Sequence, residues 1–148
     1  MLVGYGSLGP RGGELSLGGQ RWADPARAGF LEARGRVTEV SKSLIPQVTI
    51  YSVDCGDIRF KFDMHSKLLK VKQGDEVVVT ISKEAPEYDK GVDLVMWGYV
   101  LSVKAEAVPS KMVISLWGYI VIVEVDRRDL LSGFDFMDKV YFKVAVAR

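Results

Sequence analysis

Cysteine and histidine occur once each among 148 residues, and the formal charges nearly cancel at +1. A lone Cys55 excludes an internal disulfide framework, and a reducing cytosolic compartment is the natural expectation. With His65 as its only companion, a zinc site built from Cys and His ligands has no basis. The balanced charge supplies no bulk attraction to nucleic acid or to an anionic membrane. Long apolar runs are missing too. The most apolar stretch, near Leu116 to Val125, is about half of the ~20 residues that a membrane helix requires, and it reads as a buried strand. The N-terminus lacks a secretory signal, because Leu2-Val3 is too short an apolar core and Gly, Arg and Glu follow at once. A soluble, cytoplasmic protein is expected.

What is present is enough for one domain with a real core: 48% of the residues are hydrophobic. Residues 1–30 stand apart. Eight of the fifteen glycines lie there, the cations are Arg, and the first lysine is Lys42. Such a composition predicts a flexible tail that contributes nothing to the fold. Asp24-Pro25 can begin one short helix running toward Arg34, with Asp24 as N-cap. The domain proper is placed at residues 31–148.

From about Gly35 the sequence turns β-rich. Val37 to Ser41 and Val48 to Val53 read as strands separated by Ile45-Pro46. Ile58, Phe60, Phe62 and Met64 alternate with Arg59, Lys61, Asp63 and His65, the pattern of a strand with one dry and one wet face. Gln73-Gly74-Asp75 is a turn, Glu76 to Ser82 a strand, and Lys83 to Val92 the longest internal loop. The tripeptide Trp-Gly-Tyr then occurs twice, at Trp97-Gly98-Tyr99 and Trp117-Gly118-Tyr119. Each copy opens a β-branched run, and the Pro109-containing linker between them suggests a hairpin. If the hairpin closes near Ala107, Trp97 and Trp117 face each other and fix the register. Gly98 and Gly118 within strands mark a bulge, a bend or the close approach of another backbone. The second strand is apolar on both faces, as in a strand covered on both sides. Asp126 is placed to cap a helical turn through Leu131 that Gly133 stops. Lys139 to Val146 alternates again, with Val140, Phe142, Val144 and Val146 inward. The sum is an all-β, OB-fold-like Greek-key antiparallel barrel of seven or eight strands.

Chemistry is sparse. Gly4-Tyr5-Gly6-Ser7-Leu8-Gly9 has the letters of a dinucleotide loop, but only three residues precede it and Pro10 follows, so no strand–loop–helix can form around it. His65 falls on the wet face without a nominated nucleophile or orienting group. Cys55 lies beside Asp54 and Asp57, whose charge discourages a thiolate. Asp54, Asp57 and Asp63 lack the spacing of a calcium loop. No cofactor or metal is expected. Single-stranded nucleic acid is a second reading, since small barrels bind it through aromatic platforms. Tyr51, Phe60, Phe62, Arg59 and Lys61 are the right residue types, but Phe60 and Phe62 share the phase of the core. Trp and Tyr of the repeated tripeptide fill the barrel or act as interface anchors.

Several motifs, in order, resemble the G subunit of archaeal DNA-directed RNA polymerase, the counterpart of the eukaryotic polymerase's eighth subunit. They are Val71 to Ile81; Ile81-Ser82-Lys83 with Pro86 and Tyr88; Trp97-Gly98-Tyr99-Val100; Ile114 to Val121; Arg128-Asp129-Leu130; and Met137 to Phe142. The resemblance covers about Gly35 to Arg148 and leaves the Gly-rich tail unmatched. It departs from the eukaryotic members at Tyr119, where those tend to carry a small residue. The resemblance implies an OB-like barrel and a non-catalytic subunit of DNA-directed RNA polymerase, docked on the largest subunit away from the active-site magnesium. Contact with nucleic acid would come only through the complex. Pro86, Tyr88, Trp97, Gly98, Tyr99, Trp117, Gly118 and Tyr119 are the candidate partner-facing residues.

Overall fold

A computed structural model describes residues 28–147. Eight strands follow in order: β1 (Phe30–Lys42), β2 (Val48–Asp54), β3 (Ile58–His65), β4 (Glu76–Ser82), β5 (Leu94–Lys104), β6 (Ser110–Leu116), β7 (Tyr119–Val125) and β8 (Lys139–Val146). They close into an antiparallel barrel in the spatial order β1-β2-β3-β7-β6-β5-β8-β4. The expected all-β barrel is the observed architecture, with the upper of the two strand counts.

β1 holds the closure. Its first half pairs with β4 and its second with β2, and Arg36 stands opposite both Glu76 and Asp54. A register shift between Val37 and Glu39 turns the strand from one neighbour to the other, as a bulge does. The strand begins at Phe30, so the expected helix toward Arg34 gives way to β structure over residues 30–34. Leu31 and Ala33 explain why: both are fully buried at period two. Gly29 anchors the entry, donating to the Ser132 carbonyl at 2.9 Å and accepting from the Lys83 amide at 3.0 Å. Asp24-Pro25, the Gly4–Gly9 letters and most of the expected tail lie outside the described residues.

β3 alternates as its sequence requires, with Ile58, Phe60, Phe62 and Met64 at most 2% exposed. Phe62 is central: it stacks on Tyr51 at 5.4 Å and meets Phe142 edge-on at 5.0 Å. Leu69 and Val71, on the connection from β3 to β4, also join the core. The buried Tyr51 hydroxyl donates to the Leu69 carbonyl at 2.7 Å, so its polar end is satisfied.

Four local expectations are corrected. The second run of the hairpin is two strands, β6 and β7, so Gly118 lies not within a strand but with Trp117 in the turn between them. Its second strand is not covered on both sides, because Ile120 and Ile122 on the outward face are only half-buried. Asp126 does not cap the short 3-10 turn Arg128–Leu131, whose N-cap is Arg127 with no side-chain bond. Instead its carboxylate accepts from the two terminal Arg59 guanidinium nitrogens, at 2.9 and 3.3 Å, a two-pronged charge-assisted pair. Val146, expected inside, is exposed at the end of β8. Among the described residues no helix is long and apolar enough to cross a membrane.

Candidate docking surface

Outward-facing positions of β5 and β8 carry aromatic side chains because alternation puts every second residue there. In β5 these are Trp97 and Tyr99, with the buried Gly98 between them. A Cβ at Gly98 would run into the backbone carbonyl of Ser115 on β6. This is the close approach its sequence position suggests, and it lets β6 lie tightly against β5. Continuing the register Tyr99↔Ser115 of those two strands brings Trp117 opposite Trp97. The rings meet edge to face with centroids 4.8 Å apart and planes at 88°. Tyr99 meets Trp97 the same way at 6.0 Å and 79°, a geometry that sets the positive ring edge against a negative face.

Trp117 and Gly118 have φ values of 57° and 108°. Two consecutive left-handed residues make the primed type of two-residue hairpin turn, whose twist matches the strands it joins. Asn-Gly is the usual signal, and Trp-Gly hid it. The turn projects Trp117 outward, leaving it 67% exposed. Lys139 completes the surface from β8, with its Nζ 4.4 Å from the Trp97 ring centroid and 5.3 Å from that of Tyr141.

Beside Trp97 a groove of about 400 Å³ opens between the sheet and the 83–93 loop. Val95, Trp97 and Tyr141 form the sheet wall, Pro86 and Tyr88 the loop wall, and Asp93 contributes a carboxylate. Trp97 and Tyr141 are direct partners across β5 and β8. The loop is held to the sheet by the buried Lys143, whose ammonium donates to the Glu87 carbonyl at 2.6 Å.

Of the candidate residues, Pro86, Tyr88, Trp97, Tyr99 and Trp117 therefore share one face, and Gly98 lies beneath it. Gly118 shapes the turn, whereas Tyr119 packs against the core. Lys139, Tyr141 and Asp93 escaped sequence reasoning. The alternation of Lys139 to Val146 was visible, but only the pairing of β8 with β5 brings Tyr141 to Trp97.

The remaining candidates are placed elsewhere. Tyr51, Phe60 and Phe62 are core residues and offer no stacking platform. His65 is tied locally, with Nε2 3.1 Å from the Gln47 side-chain oxygen and Nδ1 accepting from the Lys67 amide. Cys55 is buried, and desolvation first, then Asp54 and Asp57, push its thiol up to about 12. Asp54 accepts from the Gly56 amide, and Asp63 from the Ile120 amide. Among the described residues no group of three or more His, Cys, Asp or Glu could hold a metal ion.

The family description for the G subunit of DNA-directed RNA polymerase matches residues 30–147. A relative from Sulfolobus acidocaldarius, "DNA-directed RNA polymerase subunit Rpo8", is 28% identical over 119 residues, covering 78% of this chain and 97% of its own. Among solved structures, the cytoplasmic molybdate-binding protein ModG covers 78% of this chain and 95% of its own at 14% identity. Its TM-score is 0.32, too low a likeness to carry an argument.

Proposed function

Since the chain belongs to the family of the DNA-directed RNA polymerase G subunit, we propose that it is a non-catalytic assembly subunit of an archaeal-type polymerase. It docks on the largest subunit through the aromatic face of β5, β8 and the β6–β7 turn, and it works in the cytoplasm. The observation that carries this reading is Trp117, a large apolar side chain held two-thirds exposed by a rigid two-residue turn. A solvated Trp has no stabilising role in the free barrel beyond its edge contact with Trp97. Burying it in a pocket of a partner is how interfaces gain most of their affinity. The neighbours Trp97, Tyr99 and Tyr88 add area of the same kind, and Tyr88 is itself half exposed.

The test is reconstitution. Polymerase assembled without this subunit is mixed with the full chain, and incorporation is followed by size-exclusion chromatography, with cross-linking and mass spectrometry to name the contacts. Stoichiometric incorporation with cross-links from the Lys139 neighbourhood to the largest subunit is expected. Incorporation with all cross-links on the opposite wall of the barrel refutes the surface, and failure to incorporate refutes the role. Oligonucleotide binding by the free chain that weakens as salt rises would favour a free-standing single-strand binder instead.

A further inference from the structure

The groove beside Trp97 differs from the rest of the aromatic face in carrying a carboxylate. Asp93 lines it, with Oδ2 accepting the Asp89 amide at 2.9 Å. No ion pair within 4.0 Å neutralises Asp93 among the described residues. The surrounding 83–93 loop carries Glu84, Glu87, Asp89 and Asp93 against Lys83 and Lys90. Lys83 turns away from the groove to Asp138, 3.3 Å from its carboxylate. The buried Lys143 is likewise directed to a backbone carbonyl.

We propose that this groove receives a cationic side chain of the docking partner, an arginine by its shape, set against Trp97 and Tyr141 and paired with Asp93. The inference rests on the docking reading and specifies what the partner brings to it. Complementarity decides between occupants. An acidic side chain would meet Asp93 and the acid excess of the loop. A purely apolar one would strip water from the Asp93 carboxylate and leave it unpaired, which is costly. A cation meets both needs, since aromatic faces attract it and the carboxylate neutralises it. Arginine suits the site better than lysine, because its planar, weakly hydrated fork both stacks on rings and pairs with a carboxylate. Lys139, 4.4 Å from the Trp97 centroid and 5.3 Å from that of Tyr141, is an intramolecular instance of the same preference; it does not line the groove, and Asp93 offsets the charge that a second cation brings.

Polymerase lacking the subunit is titrated with the full chain at several salt concentrations. Asp93→Asn keeps an oxygen to accept the Asp89 amide, so the loop turn is preserved. It is expected to weaken binding about tenfold and to flatten the salt dependence, and Asp93→Lys to weaken it further. Tyr141→Leu removes the stacking wall without touching that turn and gives an independent reading, with a loss of several-fold. Trp117→Ala reports on docking itself, since Trp117 does not line the groove. If Trp117→Ala weakens binding while Asp93→Asn changes neither affinity nor salt slope, or tightens binding, the cation is excluded and the docking surface stands. If none of the variants changes binding, the docking reading falls with it.

Discussion

Trp97 and Trp117 stand edge to face, 4.8 Å between centroids, although one lies within β5 and the other in a left-handed turn. Each holds the other's orientation, so the exposed ring is presented in one pose. Trp117→Ala is expected to cost the free chain about 1 kcal/mol, the order of an aromatic pair, seen as a Tm lower by a few degrees. Assembly into polymerase should fall by about thirtyfold, the effect of an interface hot spot. Equal losses in both measurements would make the residue structural and nothing more.

Gly98 and Gly118 should separate cleanly. Any side chain at Gly98 collides with the Ser115 backbone, and backbone cannot swing aside as a side-chain tip can. Gly98→Ala is expected to destabilise by about 3 kcal/mol, measured by chemical denaturation. At Gly118 a Cβ would meet nothing within 4 Å, but φ is +108°. Gly118→Ala is therefore strained only locally, by about 1 kcal/mol. A larger loss at Gly118 than at Gly98 would contradict this account of the turn.

Cys55 is buried, and its thiol is raised to about 12. Almost none of it is thiolate at pH 8, so the native chain should react with a thiol reagent only through unfolding. The rate at pH 8 should rise sharply with denaturant. Rapid stoichiometric labelling of the native chain would disprove it.

Asp138 lies below the usual carboxylate range, first because it accepts the Asp135 amide and then because Lys83 is beside it, with burial opposing. A depressed folded pKa stabilises the fold above the unfolded value, near 4, and that stability is lost as pH falls through the folded pKa. Asp138→Asn should thus be less stable than wild type at neutral pH, and the gap should close on acidification below about pH 4. Urea midpoints measured across that range decide it; a gap independent of pH would assign the loss to geometry.

Much of the barrel was legible because alternation is a local signal. β3 and β4 could be bounded closely from Ile58 to Met64 and from the Gly74 turn. The Trp97–Trp117 pairing was also expected from closure near Ala107, although the ladder reaches that register only through the bulge between Val100 and Ser102. Phe30 to Arg34 misled, because Asp24-Pro25 advertises a helix start while Leu31 and Ala33 are held in β1 by β4, a partner more than forty residues away. Trp117-Gly118 misled because Trp rarely occupies a left-handed position, and two strands read as one. The groove was out of reach for the same non-local reason: Tyr141 and Trp97 meet only through the β5–β8 ladder, and Asp93 faces them only once the loop is laid down.

The position of β8 orders the making of this protein. The last strand in sequence among those described is inserted between β4 and β5, so neither edge can be sealed before residue 146 has been synthesised. Until then the nascent chain exposes two open strand edges, which non-local pairing closes slowly. Tyr141 and Lys139 arrive with that same strand. A chain truncated ahead of β8 would lack both side chains and would leave the facing edges of β4 and β5 unpaired.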